Sequence, residues 1–277
     1  NFTITKLLIY KCDFMKKLLL GNEALAQGAI DAGLSGVYAY PGTPSTEITE
    51  YIQKSKTAKA LNIHSKWSVN EKTAMEAALG MSYAGKRAMT VMKHVGLNVA
   101  ADVFMNMSVS GINGGLVVVV ADDPSMHSSQ NEQDSRYYGK FAMIPILEPS
   151  NQQEAYTITR HAFDLSEQLG LPVMIRMVTR LSHSRAGVET LKGEIQNTIH
   201  LPKNPHQFQL IPMHARNQYQ HLVDIQSDIR ENSEKSTFNK LIEGTENSMG
   251  IIASGIAYNY LMENFEDSNC PFPILKI

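Results

Sequence analysis

The chain reads as an α/β protein built on a mainly parallel sheet with helices on both faces. Short apolar strands alternate with helical segments from Asn22 to Val178, and one of them, Leu116-Val117-Val118-Val119-Val120-Ala121, is apolar throughout. A strand without polar alternation is buried on both faces, so helices must lie above and below it.

The elements follow in order. Asn22 is placed to cap a helix that ends at Gly33, Gly36 to Tyr40 reads as a strand, and Thr43-Pro44 opens the next helix with proline at its first position. The pattern then predicts a helix from about Glu71 to Ala84, a strand over Arg87 to Met92 and a helix from about Leu97 to Ser110, ahead of the Leu116 strand. A strand from Ile144 to Leu147 follows. Ser150, with Gln153 three residues on, opens a helix closed near Gly170, and Pro172 to Val178 is the last strand of the series. Strand and helix in this alternation give parallel pairing through crossovers.

Residues 15–186 are expected to form this first domain. Leu201-Pro202-Lys203-Asn204-Pro205 punctuates the chain and Arg216 to Lys240 is polar and charged, so 187–248 reads as a linker with a connecting helix. Gly250 to Gly255 looks like a fresh strand and turn, Ile256 to Phe265 a helix, and Ile274 to Ile277 a strand. Residues 249–277 are therefore expected to begin a second, truncated α/β domain. Residues 1–14, ahead of Met15, read as a leader or an extraneous upstream stretch. Met15-Lys16-Lys17-Leu18-Leu19-Leu20 opens like a signal peptide, but its apolar run stops at Gly21-Asn22-Glu23, short of a secretion signal.

With 277 residues and 43% hydrophobic content, the chain has material for a real core. Its 25 basic and 27 acidic residues leave a formal charge of -2 without large blocks, which argues against nucleic acid and anionic membrane as partners. No stretch approaches the roughly 20 apolar residues of a spanning helix. Cys12 and Cys270 are far apart and lack C-x-x-C spacing, so they build neither a zinc site nor an iron-sulfur cluster. Such sparing use of cysteine fits a reducing cytoplasm.

Three segments carry candidate chemistry. Ser68-Val69-Asn70-Glu71 places a carboxylate on the first turn of a small-residue helix; on spacing alone, Ser68-x-x-Glu71 is a capping box in which the acid satisfies a backbone donor. Tyr40-Pro41-Gly42-Thr43-Pro44 lies where a strand gives way to a helix, so backbone N–H groups and the helix dipole favour an anion there, although plain N-capping by Thr43 is compatible with the same residues. Lys93-His94-Val95-Gly96 brings a cation, an imidazole and a backbone turn to the same edge of the sheet, yet a lone loop histidine is more often a hydrogen-bonded bystander.

Other segments are set aside. Asp122-Asp123-Pro124 suggests magnesium but is ordinary turn chemistry. Gly80 to Lys86 nearly spells a phosphate-binding loop; Arg87 stands where Ser or Thr is required, and the segment runs from helix to strand, the reverse of the motif. Ala74, Ala77, Ala78 and Gly80 mark close helix packing or a subunit contact. The polar run Met126 to Arg136 has no assigned chemistry.

In this order and spacing, the three segments and Glu148-Pro149-Ser150 resemble the aminopyrimidine-binding domain of the thiamine-diphosphate-dependent 2-oxoacid:ferredoxin oxidoreductases. The resemblance runs from about Met15 to Ile277 and is densest between Tyr40 and Ser150. It implies that Glu71 hydrogen-bonds N1′ of the cofactor's aminopyrimidine, favouring the imino tautomer whose 4′-nitrogen takes the thiazolium C2 proton. It further implies that Thr43 contacts the carboxylate of a 2-oxo acid and that His94 assists proton transfer. Tyr40, Pro41, Gly42, Lys93, His94, Val95 and Gly96 would then form the wall of the cofactor site.

The resemblance assigns no metal ligand to these residues. It implies Mg2+ and [4Fe-4S] clusters in further domains, CoA as co-substrate, ferredoxin as electron acceptor and a beta subunit, in a homo- or hetero-oligomer. The substrate it favours is an aryl 2-oxo acid such as indolepyruvate. A non-oxidative thiamine-diphosphate decarboxylase or synthase, and an assembly domain in which Glu71 is only a cap, remain alternatives.

Overall fold

The computed structural model describes residues 15–265 and 269–277; the leader expected over 1–14, with Cys12, lies outside them. The chain opens with β1 (Met15–Leu20), α1 (Gly21–Asp31), β2 (Gly36–Ala39), α2 (Thr46–Lys54), α3 (Lys56–Ala60) and β3 (His64–Trp67). It continues with α4 (Glu71–Tyr83), β4 (Ala88–Lys93), α5 (His94–Ser110), β5 (Leu116–Asp122), α6 (Arg136–Ala142), β6 (Ile146–Leu147), α7 (Gln152–Leu169) and β7 (Val173–Val178). The remainder is α8 (Thr179–His183), β8 (Arg185–Thr190), α9 (Pro212–Asp224), α10 (Gln226–Glu234), β9 (Lys240–Ile242), β10 (Ile251–Ala253), α11 (Gly255–Glu263) and β11 (Ile274–Lys276).

Six strands form one sheet in the order β3-β2-β4-β5-β7-β6, every pair parallel. The valine run of β5 explains how the layers are built. Val117, Val119 and Ala121 face Leu25 and Ile30 of α1, Ile48 and Ile52 of α2, and Tyr156 and Phe163 of α7. Leu116, Val118 and Val120 point the other way, into Met75 and Ala78 of α4 and Leu97 and Phe104 of α5. Register aligns the layers across the sheet: Ala39 pairs with Val91, Val91 with Val119, and Val119 with Ile175. The α/β class with helices on both faces is as the sequence predicts.

Several local expectations are corrected. Met15–Leu20, read as too short for a secretion signal and given no element, is a strand pairing antiparallel with β8. Residue 186, the expected domain limit, lies inside β8. Asn22 is not the cap of α1: Leu20 holds that position, its N–H donating to Glu23, while the buried Asn22 side chain donates to the Pro44 carbonyl at 2.7 Å and to Glu47 at 2.9 Å. The segment 191–204 is no free linker. Glu194 pairs with Arg87 and Arg160, and Asn197 donates to Glu167, which holds the segment against the N-terminal edge of the sheet. The polar stretch Arg216 to Lys240 is two helices broken at Ile225, followed by β9. Asn151, not Ser150, caps α7, accepting from the Glu154 N–H at 2.9 Å. At α7 the residue nearer the helix wins, because its short side chain reaches the free N–H without bending the chain.

The C-terminal edge of β5, β6 and β7 is held by charge. Arg176, on the otherwise apolar β7, donates from Nε to Asp122 at 2.6 Å and from Nη1 to Glu148, which also pairs with Arg136. Asp123 sits beside this cluster. Burial pushes its carboxyl up, but hydrogen bonds from Thr179, the Ser128 N–H and Ser129 outweigh burial and hold it at about 2, below the usual 3.8. The Asp-Asp-Pro segment is thus occupied with turn and loop contacts, and no cluster of three His, Cys, Asp or Glu side chains able to hold a metal occurs among the described residues. Nor is any described helix long and apolar enough to cross a membrane.

A depressed carboxyl contributes stability above its unfolded value that is lost as pH falls through the folded one. Asp123→Asn should therefore lower unfolding free energy at about pH 7, with the deficit shrinking between about pH 4 and 2. Urea unfolding of both proteins across that range checks this, and a deficit independent of pH contradicts it.

Candidate active site

Chain direction across the sheet decides where a ligand can sit. From β2 the connection runs outward to β3, and the chain then returns to β4 and proceeds the opposite way to β5. The crevice between the C-terminal ends of β2 and β4 is therefore a topological switch point, uncovered by either crossover. The turn after β2, the β4–α5 junction and the start of α4 all belong to this edge.

Glu71 is the first residue of α4, and it is released from capping duty. Asn70 is the N-cap, its Oδ1 accepting from the Thr73 N–H at 2.9 Å, so the Ser68-x-x-Glu71 capping box does not form. The Glu71 carboxylate is 9% exposed and makes no hydrogen bond or ion pair among the described residues. Gly96 explains how it fits. A Cβ built on Gly96 would stand 2.5 Å from Glu71 Oε1 and 2.7 Å from its Cγ. The acid thus lies against the first turn of α5, with two helix N-termini beside it, a setting that favours negative charge or a strong acceptor.

The turn after β2 closes on itself. The Gly42 N–H donates to Thr46 Oγ1 at 3.0 Å, Ser45 Oγ donates to the Gly42 carbonyl at 2.7 Å, and Asn22 takes the Pro44 carbonyl. These bonds delay α2 until Thr46, so neither Pro44 nor Thr43 occupies the first helical turn or its cap. Tyr40, Pro41 and Thr43 are exposed on the rim, and the Gly42 N–H is already used within the turn.

Lys93 links this turn to the next segment. Its methylenes lie under Gly42, where a Cβ would approach Lys93 Cδ to 3.0 Å, and its Nζ donates to the Ser128 carbonyl at 2.8 Å. His94 and Val95 are not in a loop: β4 runs directly into α5, and His94 is the first helical residue. His94 is fully buried; its Nε2 donates to the Asn131 carbonyl at 3.0 Å, and its Nδ1 is sealed from solvent with no partner. The polar run Met126 to Arg136 thus has a structural role: it lies over Lys93 and His94, pinned at its ends by Asp122, Asp123 and Arg136.

Three elements of the site were not legible beforehand. Asn22, Arg176 and Ser128 act through contacts 22 to 54 residues away in sequence. The one available signal was a charge inside an apolar strand, Arg176. Cavities of about 360, 510 and 530 Å3 lie elsewhere, with none of Glu71, Thr43 or Lys93 in their walls.

Known proteins match this arrangement. The family described as "Pyruvate flavodoxin/ferredoxin oxidoreductase, thiamine diP-bdg" covers residues 27–244. The indolepyruvate oxidoreductase subunit IorA of Pyrococcus horikoshii is 46% identical over 269 residues, 94% of this chain and 41% of that protein. The 2-oxoglutarate synthase subunit KorA of Methanothermobacter thermautotrophicus is 30% identical over 180 residues, 60% of this chain and 45% of that protein. The chain thus spans less than half the length of these relatives. A solved structure, 2-oxoglutarate:ferredoxin oxidoreductase from Magnetococcus marinus with 2-oxoglutarate, coenzyme A and succinyl-CoA bound, shares the fold at a TM-score of 0.75 and 18% identity, over 96% of this chain and 54% of that one. The family match over most of the sequence places the chain in the thiamine-diphosphate-binding family of the pyruvate flavodoxin/ferredoxin oxidoreductases.

Proposed function

We propose that the chain supplies the aminopyrimidine-binding half of a thiamine-diphosphate site in an oxidoreductase that oxidatively decarboxylates an aryl 2-oxo acid of the indolepyruvate kind. Electrons pass to ferredoxin and an acyl-CoA forms. The single observation that carries this reading is the Glu71 carboxylate, held at the start of α4 without a partner among the described residues and given room by Gly96.

The residues present fit the cofactor on three counts. An acid without a partner lies at the crevice, a missing Cβ lets it lie close to α5, and one ring nitrogen of a buried histidine is unpaired. Thiamine diphosphate, when bound, supplies the electron sink that 2-oxo acid decarboxylation requires. Glu71 holds a proton for the pyrimidine ring nitrogen, a task that needs an acid because an amide exchanges no proton at this site. Thr43, on the exposed rim of the turn, orients the carboxylate of the oxo acid. His94 holds the 124–135 loop through Nε2 and has Nδ1 left to take part in proton movement. Tyr40, Pro41, Gly42, Lys93 and Val95 shape the wall. Mg2+, the [4Fe-4S] clusters, CoA binding and the beta subunit belong, on this reading, to the rest of a cytoplasmic oligomer.

The aryl substrate is supported by the relatives, since identity to the indolepyruvate oxidoreductase subunit extends over 94% of the chain and that to the 2-oxoglutarate synthase subunit over 60%.

In the complete enzyme, Glu71→Gln should lower turnover by about 100-fold or more while circular dichroism stays unchanged; undiminished turnover rules the role out. Gly96→Ala presses on a movable carboxylate rather than on backbone. Calorimetry with thiamine diphosphate should show about tenfold weaker binding and a melting midpoint within a few degrees of wild type, and equal affinity would remove Gly96 from the site. Steady-state kinetics should give kcat/KM for indolepyruvate at least about tenfold above that for 2-oxoglutarate, and the opposite order reassigns the substrate.

A further inference from the structure

A second group of polar side chains lies far from Glu71, where a 3-10 turn over Pro205–Phe208 meets α9. His206 on the turn and His214 on α9 have ring centroids 4.9 Å apart, with planes inclined at 57°. Gln218 follows His214 at i+4, so both project from one face of α9, the spacing at which helical side chains share a ligand. All three line one cavity of about 360 Å3 between α9 and the C-terminal end of α5.

Hydrogen bonding orients His206 and Gln218. His206 Nδ1 donates to Gln209 Oε1 at 3.0 Å, which fixes the tautomer and leaves Nε2 as a lone-pair donor. The Gln218 amide nitrogen is held by the His206 and Gln207 carbonyls. That leaves Gln218 Oε1 without a partner, and it is shut off from solvent; His214 Nδ1 is buried and unpartnered as well. Two buried polar atoms without a partner, on side chains that line one cavity with the oriented His206 ring, are costly unless a ligand satisfies them. Two imidazoles sharing one cation at about 2.0–2.1 Å in near-tetrahedral geometry have centroids roughly 5 Å apart, the separation seen here.

We propose that His206, His214 and Gln218 form a binding site for a divalent transition cation of the zinc class, which fastens the 191–208 segment to α9. Two imidazole nitrogens and one amide oxygen leave a fourth position for water, a donor set suited to a cation of borderline softness. The ion would tie the segment that crosses the N-terminal edge of the sheet to the helix that packs on α5.

The test is a Zn2+ titration by calorimetry of the complete enzyme, stripped of loosely held metal with a chelator. Wild type should take up one Zn2+ that His206→Ala and His214→Ala each weaken at least tenfold, with turnover unaltered. His206 is exposed, so its removal spares the fold and decides the question even where His214→Ala does not fold. With Cu2+ as probe, electron paramagnetic resonance should show coupling to two imidazole nitrogens in wild type and to one in His206→Ala. Equal Zn2+ stoichiometry and affinity in wild type and His206→Ala overturn the site.

Discussion

The reversal of chain direction between β2 and β4 is the constraint on which the site depends. Both strands are parallel neighbours, but their crossovers depart to opposite sides, so no connection covers the crevice between their C-terminal ends. The helices that start there, α4 and α5, point their N-termini at it, and each leaves backbone donors to be satisfied. At α4 the Asn70 side chain takes one of them. Because Asn70 does the capping, the Glu71 carboxylate is not spent on the helix end and has no hydrogen-bond partner among the described residues.

The neighbouring half of the same edge is organised differently. Arg176, Asp122 and Glu148 are buried together, and Arg136 joins them from α6. Removing such charges from water is expensive, and their mutual attraction does little more than offset it. What the cluster provides is position. It fixes the end of β5 and the start of α6, and so the anchors of the 124–135 loop, which in turn holds Lys93 and His94 by backbone carbonyls. Ser128 and Asn131 contribute main-chain oxygens here, so side-chain chemistry alone does not reveal their part.

The opposite edge shows the same economy. Arg87 donates to Asp164, Glu167 and the Ala32 carbonyl, and through Glu194 it draws in the segment after β8. A stretch that reads as a linker because of its prolines and charges is thereby packed against the edge of the six-stranded sheet. Its composition could not distinguish a solvated tether from a strap, since either needs polar residues.

The sequence by itself determined the α/β class, five of the six strands of the main sheet in their chain order, the double-sided burial of β5 and the three segments that lie at one edge of the sheet; the edge strand β3 and the β1–β8 pair were not legible. The legible features are local matters: periodicity, turn residues and spacing are set by neighbours a few positions apart. Tertiary structure alone decided which strands adjoin, that Asn22 reaches the Pro44 carbonyl, that β1 finds β8, and that His94 lies sealed beneath a loop while Glu71, also buried, keeps no hydrogen-bond partner among the described residues. Those outcomes depend on groups tens to hundreds of residues apart competing for the same donor or the same space, and a side chain's freedom to bind a ligand is what remains after that competition.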